Sequence, residues 1–306
     1  MAAYHIPVLL HESVDALCVR SGGTYVDATY GGGGHAREIL NRLSKGRLLA
    51  FDRDADTTTK RIDDKRLTFI RNNFRYIRSL LRYEGVEQVD GILADLGVSS
   101  HQFDTPERGF SFRFEAALDM RMNRQSDLTA AQVLNTYSGT HLQTLFKTCG
   151  EVENASKAAQ CVVDCRHKQP ITTVGALVEA LRPCMPRQAE HKYLAKVFQA
   201  LRMEVNSEMQ ALEQLLIQSL KLLNERSRLV IITYHSLEDR MVKNFMRAGN
   251  IEGRITKDFF GKEQTPFTVI TKKAIVPTEE EIHKNTRARS AKLRVAEKAM
   301  EPNKEK

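Results

Sequence analysis

The stretch Thr24-Tyr25-Val26-Asp27-Ala28-Thr29-Tyr30-Gly31-Gly32-Gly33-Gly34-His35 decides how the chain is read. A short run of strand formers enters four consecutive glycines, and an amphipathic stretch follows to residue 43. The segment therefore predicts a strand, a tight turn and a helix. Doubly wound folds bind nucleotides at such a turn. Glycine there permits positive φ, and without a Cβ it lets backbone approach a ligand closely. A strand-to-helix turn with no ligand is the plainer reading of the same glycines, so the surrounding sequence has to decide.

Outward from this turn, short apolar runs alternate with amphipathic stretches, the signature of a parallel sheet flanked by helices. Residues 47–51, 67–71 and 89–94 read as strands, the last apolar enough to be central, and residues 55–62 and 74–83 read as helices. In the second of these helices Phe74, Ile77, Leu80 and Leu81 share one stripe. After Ser100 the alternation stops. A polar, phenylalanine-bearing segment at 101–114 leads into helical patterning at 128–135, 141–149, 151–166 and 173–181, with Pro183 and Pro186 at the exit. A helix at 208–223 and an apolar strand at 228–233 restore the earlier rhythm, and 254–260 with 267–273 can form a closing hairpin. From Pro277 the chain is rich in Glu, Lys and Arg, and residues 301–306 are expected to be disordered.

The expected fold is α/β, a Rossmann-like doubly wound sheet with an inserted all-helical domain. Residues 1–103 and 196–300 would form the sheet domain, the second part carrying a basic C-terminal segment. Residues 104–195 would form the insertion.

Composition excludes several classes. The 306 residues are 42% hydrophobic and 27% charged, the balance of a globular chain. No apolar run approaches the ~20 residues of a membrane helix. The opening Met-Ala-Ala-Tyr-His has no basic stretch before an apolar core, so no secretory signal is expected, and the location expected is cytoplasmic. Five scattered cysteines suit reduced thiols better than a disulfide framework. Cys161, Cys165 and His167 fall on one amphipathic stretch without a fourth ligand, so packing is preferred to zinc and no metal is expected. The net charge of +8 favours a polyanionic partner, with basic clusters at 60–82 and 284–298; a solvated helix face explains either cluster equally well.

The residues around the turn narrow the ligand. No Lys followed by Ser or Thr comes after the glycines, which excludes a phosphate-cradling P-loop. A dinucleotide fold wants G-x-G-x-x-G, and Asp27 would repel a pyrophosphate, yet it suits the cationic amino-acid portion of S-adenosylmethionine. Asp52, at the end of the second strand, can accept hydrogen bonds from ribose hydroxyls. Asp54 competes for that role, although capping the next helix fits it better. Phe74 can lie against an adenine or simply pack. Asp95-Leu96-Gly97-Val98-Ser99-Ser100 falls at the topological switch point, where a reacting group would sit. Tyr234-His235-Ser236-Leu237-Glu238-Asp239-Arg240 follows the fifth apolar strand toward the same cleft, with His235 or Ser236 as alternative helix caps.

Seven blocks in order carry a resemblance: Tyr30-Gly31-Gly32-Gly33-Gly34-His35, the Asp95 to Ser100 block, Glu107-Arg108-Gly109-Phe110-Ser111-Phe112, Leu118-Asp119-Met120-Arg121-Met122, Phe198-Gln199-Ala200-Leu201-Arg202, the His235 to Arg240 block, and Arg287-Ala288-Arg289-Ser290. Together they resemble the bacterial small-subunit ribosomal RNA cytosine-N4 methyltransferases, the MraW family. Relatives usually read Gly-Pro before the Leu-Asp-Met-Arg-Met block, where this chain has Ala116-Ala117. The resemblance implies methyl transfer from S-adenosylmethionine to the exocyclic amine of a cytidine in the decoding region of 16S ribosomal RNA within the small ribosomal subunit. It implies Gly33, Gly34, His35, Asp52, Phe74, Asp95 and Gln102 as cofactor positions, to which the residue-level reading adds Asp27.

Asp95, with Ser99 and His235, is the catalytic set expected, Asp95 accepting the amine's proton. The target base would leave its stack and lie against Phe110, Phe112 or Tyr234. Basic residues at 287–294 would contact phosphates. A homodimer is compatible with the sequence, and no membrane partner is expected. Two competing readings are a nicotinamide-dependent oxidoreductase on a similar sheet and a non-catalytic RNA-binding assembly factor.

Overall fold

The computed structural model describes residues 7–257, 259–261 and 263–300. The strands are β1 (Thr24–Asp27), β2 (Arg47–Phe51), β3 (Leu67–Ile70), β4 (Val89–Asp95), β5 (Leu223–Thr233), β6 (Thr256–Lys257), β7 (Glu263–Gln264), β8 (Phe267–Val269) and β9 (Lys292–Lys298). The helices are α1 (Leu10–Leu17), α2 (Gly34–Arg42), α3 (Ile77–Tyr83), α4 (Ser100–Asp104), α5 (Ala130–Thr136), α6 (Gly139–Thr148), α7 (Ala155–Arg166), α8 (Val174–Leu181), α9 (Glu190–Val205), α10 (Glu208–Leu222), α11 (Ser236–Ala248) and α12 (Glu279–Lys284). Among the described residues no helix is long and apolar enough to cross a membrane. The expected disorder at 301–306 lies outside the described residues.

The chain divides into two units, one made of the residues up to Gly97 and from Met209 onward, the other of Val98–Glu208. The first unit holds a sheet in the order β3-β2-β1-β4-β5-β9-β8. β3, β2, β1, β4 and β5 run parallel, and β9 is antiparallel to both β5 and β8. This doubly wound sheet, with its single reversed strand next to one edge, is the class I methyltransferase fold. Alternate residues serve opposite faces. Val26, Leu49, Ile92 and Ile231 pack with Leu81, Leu215 and Phe245 of α3, α10 and α11. Tyr25, Leu48, Leu93 and Ile232 pack with Leu17 and Ile39 of α1 and α2. Strands covered on both faces need apolar side chains at every position, which is why they read as continuous apolar runs. Each fully buried aliphatic side chain contributes about 1.5–3 kcal/mol.

Four expectations are corrected. Residues 55–62 form a 3-10 turn, Ala55–Lys60, instead of an α-helix, because Asp54 caps it and Thr57 Oγ1 donates to the Asp54 carbonyl at 2.7 Å. Among the described residues the segments 254–260 and 267–273 do not pair with each other. β6 pairs with β7, whereas β8 pairs with β9. β9 itself falls in the stretch read as a charged tail, and its alternation is split: Leu293 and Val295 are buried, while Lys292 and Arg294 face Asp239 of α11. Finally, the helical unit spans 98–208 and not 104–195. Its reach follows from α9, which was not expected and buries Tyr193, Val197, Phe198 and Leu201 in the same cluster as Leu142, Phe146, Val162 and Leu177.

Within the helical unit the polar segment 101–114 is shorter in helix than its neighbours. Ser99 and Gln102 start α4 with a reciprocal capping box, Ser99 Oγ accepting from the Gln102 amide and Gln102 Oε1 from the Ser99 amide. Cys161 and Cys165 pack against this unit's apolar cluster.

Candidate active site

The carboxyl ends of β2, β1, β4 and β5 lie side by side, and each presents a functional side chain. The turn after β1 is tied to both neighbours of that strand. The Tyr30 amide donates to the Phe51 carbonyl on β2 and the Ala28 amide to Leu93 on β4, each at 2.8 Å. The glycines differ in purpose. Gly33 has φ 75° and caps α2 in the left-handed region, a conformation that costs other residues roughly 1–2 kcal/mol. A Cβ on Gly34 would fall 2.0 Å from Pro7 Cγ, so this position is closed by packing. A Cβ on Gly32 would meet nothing within 4 Å, so the front of the turn is open to a ligand.

Asp27, at the tip of β1, is fully buried. Its Oδ1 accepts from the Thr29 amide at 3.0 Å, and its Oδ2 has no hydrogen-bond partner. Burial pushes its pKa up to about 7, against the Thr29 amide, with a further upward push from Asp52. A buried carboxylate oxygen without a donor is costly unless a cation or a donor reaches it.

Asp52 follows β2. Its Oδ2 accepts from the Gly31 amide at 2.9 Å and its Oδ1 from the Asp54 amide at 2.8 Å. Each oxygen keeps a second lone pair for a ligand hydroxyl. Burial raises its pKa to about 6, opposed by those two amides. Asp54 caps the following turn, accepting from the Asp56 amide. Asp54 thus has the capping duty expected of it, and Asp52 stands at the turn, bonded to the Gly31 amide.

Asp95 ends β4, its amide donating to Thr29 Oγ1 at 2.6 Å. Its Oδ1 accepts from the Tyr234 hydroxyl at 2.7 Å, and its Oδ2 lies 3.9 Å from His35 Nδ1. Burial lifts Asp95 to about 7, partly countered by Tyr234 and reinforced by Asp27, Glu238 and Glu281. The Tyr234 hydroxyl is pushed well above its ordinary range by burial and by Asp95. His35 Nε2 donates to the Val8 carbonyl at 3.2 Å, which fixes the proton on that nitrogen and leaves Nδ1 facing Asp95.

The remaining expected residues have local duties. His235 caps α11, its Nδ1 accepting from the Glu238 amide at 3.4 Å while Nε2 stands 3.1 Å from Glu238 Oε1. Glu238 Oε2 in turn accepts from the Tyr234 amide at 2.9 Å. Phe74 begins a 3-10 turn capped by Asn73 and is half-buried against the core. Ser99 and Gln102 form the capping box of α4 in the other unit. Phe110 is buried in the helical unit's cluster, which removes it as a stacking platform, and Phe112 meets Phe198 edge to face at 5.4 Å.

Lys292 and Arg294 are spoken for as well. Burial pulls the Asp239 pKa upward, but hydrogen bonds from Arg294 and Lys292 outweigh it and hold the carboxyl below its usual range. These two cations of the 287–294 segment are thus paired within the fold, both with Asp239.

Sequence reading missed the hydroxyl of Tyr234 as a partner of Asp95, and Glu281, whose Oε1 accepts from the Leu9 amide at 2.8 Å. Spacings of 139 and 272 residues leave no local signal for either pair.

Asp27, Asp52 and Asp95 thus stand at adjacent strand tips with raised pKa values, and Asp27 keeps one buried oxygen unshared. Such a site suits a ligand carrying positive charge on a nucleoside frame, and repels a pyrophosphate.

Residues 2–299 match the MraW methylase family. A ribosomal RNA small subunit methyltransferase H from Bacteroides thetaiotaomicron is 56% identical over 296 residues, covering 96% of this chain and 97% of its own. The protein of the same name from Flavobacterium johnsoniae is 51% identical over 296 residues, covering 96% and 98%. Among solved structures, an rRNA methylase from Streptococcus thermophilus is similar with a TM-score of 0.42 at 14% identity, over 97% of this chain and 99% of that one.

Proposed function

The chain belongs to the MraW methylase family, and from that premise we propose that it methylates the exocyclic N4 amine of a cytidine in the decoding region of 16S ribosomal RNA. It is an S-adenosylmethionine-dependent methyltransferase of small-subunit ribosomal RNA; the choice of cytidine N4 is the finer reading. The observation that carries it is the row of Asp52, Asp27 and Asp95 on adjacent strand tips around an open glycine turn.

Asp27 would hold the cofactor's ammonium with its unshared Oδ2, and Asp52 would accept from the ribose hydroxyls. Gly33, Gly34 and His35 would shape the wall beside the methionine portion, with Phe74 toward the base, while a cofactor role for Gln102 rests on the family resemblance alone. The sulfonium supplies, when bound, an activated methyl carbon and a neutral thioether leaving group. Cytosine's amine is a weak nucleophile because its lone pair is delocalised into the ring, so alignment matters most. Asp95 accepts the amine's proton on Oδ2, since Tyr234 already occupies Oδ1. A pKa near 7 suits a general base working at neutral pH. Tyr234 fixes the carboxylate's orientation and favours its ionised form. His235 acts through Glu238 by setting the start of α11, and Ser99 by setting the start of α4. The helical unit, residues 98–208, is the substrate-side domain.

Small subunits from a strain lacking the protein, incubated with it and labelled S-adenosylmethionine, should yield N4-methylcytidine on nucleoside digestion. Label on another nucleoside would overturn the cytidine-N4 reading, and absence of label would overturn the function.

A further inference from the structure

The surface beside α3 carries a second recognition feature that the methyl-transfer reading leaves unused. A groove of about 450 Å³ between α3 and α10 is lined by Arg75, Tyr76, Arg78, Ser79 and Arg82, with Gln214 and Gln218 on the opposite wall. Arg75, Arg78 and Arg82 recur at helical spacing and share one face. Over seven residues they spread along roughly 10 Å of helix rise. No carboxylate lines the groove, and among the described residues none of the three guanidinium groups is held in an ion pair.

The wall is built and not loose. Gln218 accepts from the Arg78 amide at 3.0 Å and donates to the Arg75 carbonyl at 2.7 Å, which fixes the start of α3 against α10. The Arg75 guanidinium sits 5.3 Å from the Tyr76 ring centre, and Tyr76 is half exposed. Three unneutralised cations beside an exposed aromatic ring match single-stranded RNA, whose phosphates take the charge and whose bases stack on the ring. A structural use of the charge would show acidic partners, and none lines the groove. The turn that carries Arg75 and Tyr76 starts at Phe74, beyond the carboxyl end of β3, so this end of the groove lies toward the carboxyl ends of the strands.

We propose that the α3/α10 groove is an RNA-docking exosite, binding the sugar-phosphate backbone of a single-stranded segment of the small-subunit RNA with Arg75, Arg78 and Arg82 and stacking a base on Tyr76. The proposal rests on the rRNA methyltransferase reading. It differs from that reading in assigning affinity for substrate to a surface that contributes nothing to chemistry.

The test compares full-length wild-type protein with the double variants Arg78→Gln/Arg82→Gln and Arg78→Lys/Arg82→Lys. RNA affinity is measured between about 50 and 200 mM salt, alongside KM and kcat for subunit methylation. The glutamine pair should flatten the slope of log affinity against log salt by about 1.4, from roughly 0.7 per lost single-strand phosphate contact. KM for RNA should rise with kcat unchanged, and the lysine pair should keep the wild-type slope. Tyr76→Ala should weaken binding without altering the slope. Calorimetry with S-adenosylhomocysteine verifies that the cofactor site is intact in each variant. A wild-type slope and KM in the glutamine pair, with the wild-type protein active, would sink the exosite alone. If the wild-type protein binds this RNA but transfers no methyl, the functional reading falls while a flattened slope still supports the groove. Competition by inorganic phosphate as effective as by RNA would reassign it to small anions and overturn the proposal.

Discussion

The strand tips and the α3/α10 groove share one sheet unit and treat charge in opposite ways. At the tips, Asp27, Asp52 and Asp95 are drawn out of water until their pKa values rise to about 7, 6 and 7. In the groove, arginines stand on the surface without acids. The first arrangement stores an unfavourable burial that a small cation relieves. The second leaves cations solvated at little cost, available to a long polyanion whose binding releases counterions. The contrast teaches that burial depth, and not net charge, separates the proposed cofactor site from the proposed RNA surface. A chain of net charge +8 still gathers acids at its strand tips.

The contrast breaks most visibly at Asp95. Asp95→Ala should lower kcat for methyl transfer by about 10²–10⁴-fold, the range for loss of a positioned base, while retaining measurable affinity for S-adenosylhomocysteine. Wild-type turnover in a single-turnover assay would remove Asp95 from the chemistry.

Asp27 sharpens the acidic side. Its folded pKa lies above the unfolded value of 3.8, so the native state holds the extra proton between about pH 4 and 7, and stability falls as pH rises through that window. Asp27→Asn removes the ionisable group. Free of ligand, the variant should therefore melt higher than wild type at pH 8, by an amount on the order of 1–4 kcal/mol, and the gap should close toward pH 4. Its affinity for S-adenosylhomocysteine should fall by roughly tenfold or more, the loss of one charge-assisted hydrogen bond. Equal melting curves at pH 8 would show that the carboxylate is not strained there.

The smallest effect is expected at Tyr234. Because its hydroxyl favours the ionised form of Asp95, Tyr234→Phe should move the acidic limb of the kcat/KM profile from near pH 7 to higher pH, with the plateau little changed. A limb that stays in place would make Tyr234 a packing residue.

Much of this was legible in the sequence, and the reasons for the gaps are physical. β2 and β4 announced themselves because strands inside the sheet carry runs of buried apolar residues, and β1 by the strand formers that lead into the glycine turn. β9 hid because its two faces meet different company: Leu293 and Val295 enter the core, while Lys292 and Arg294 meet Asp239, so mean polarity suggested a tail. α9 hid behind its polar opening, Glu190-His191-Lys192, and behind the prolines before it. The acids of the site were readable singly because each ends a strand. What no local pattern encodes is how they are held: the Tyr234 hydroxyl on Asp95, and Glu281 against Leu9, are products of the folded sheet.

The place of β9 in the sheet bears on how the protein is made. This strand lies between β5 and β8, and α12 delivers Glu281 to the amide of Leu9 near the opposite end of the chain. A polypeptide synthesised only to residue 290 would have every one of the proposed cofactor residues but would leave β5 as an open edge, with its neighbour still to come. Such an edge invites pairing with other chains. Translation that stalls late should therefore yield aggregates and not a partly active enzyme, so the quality of the product is decided in its final stretch.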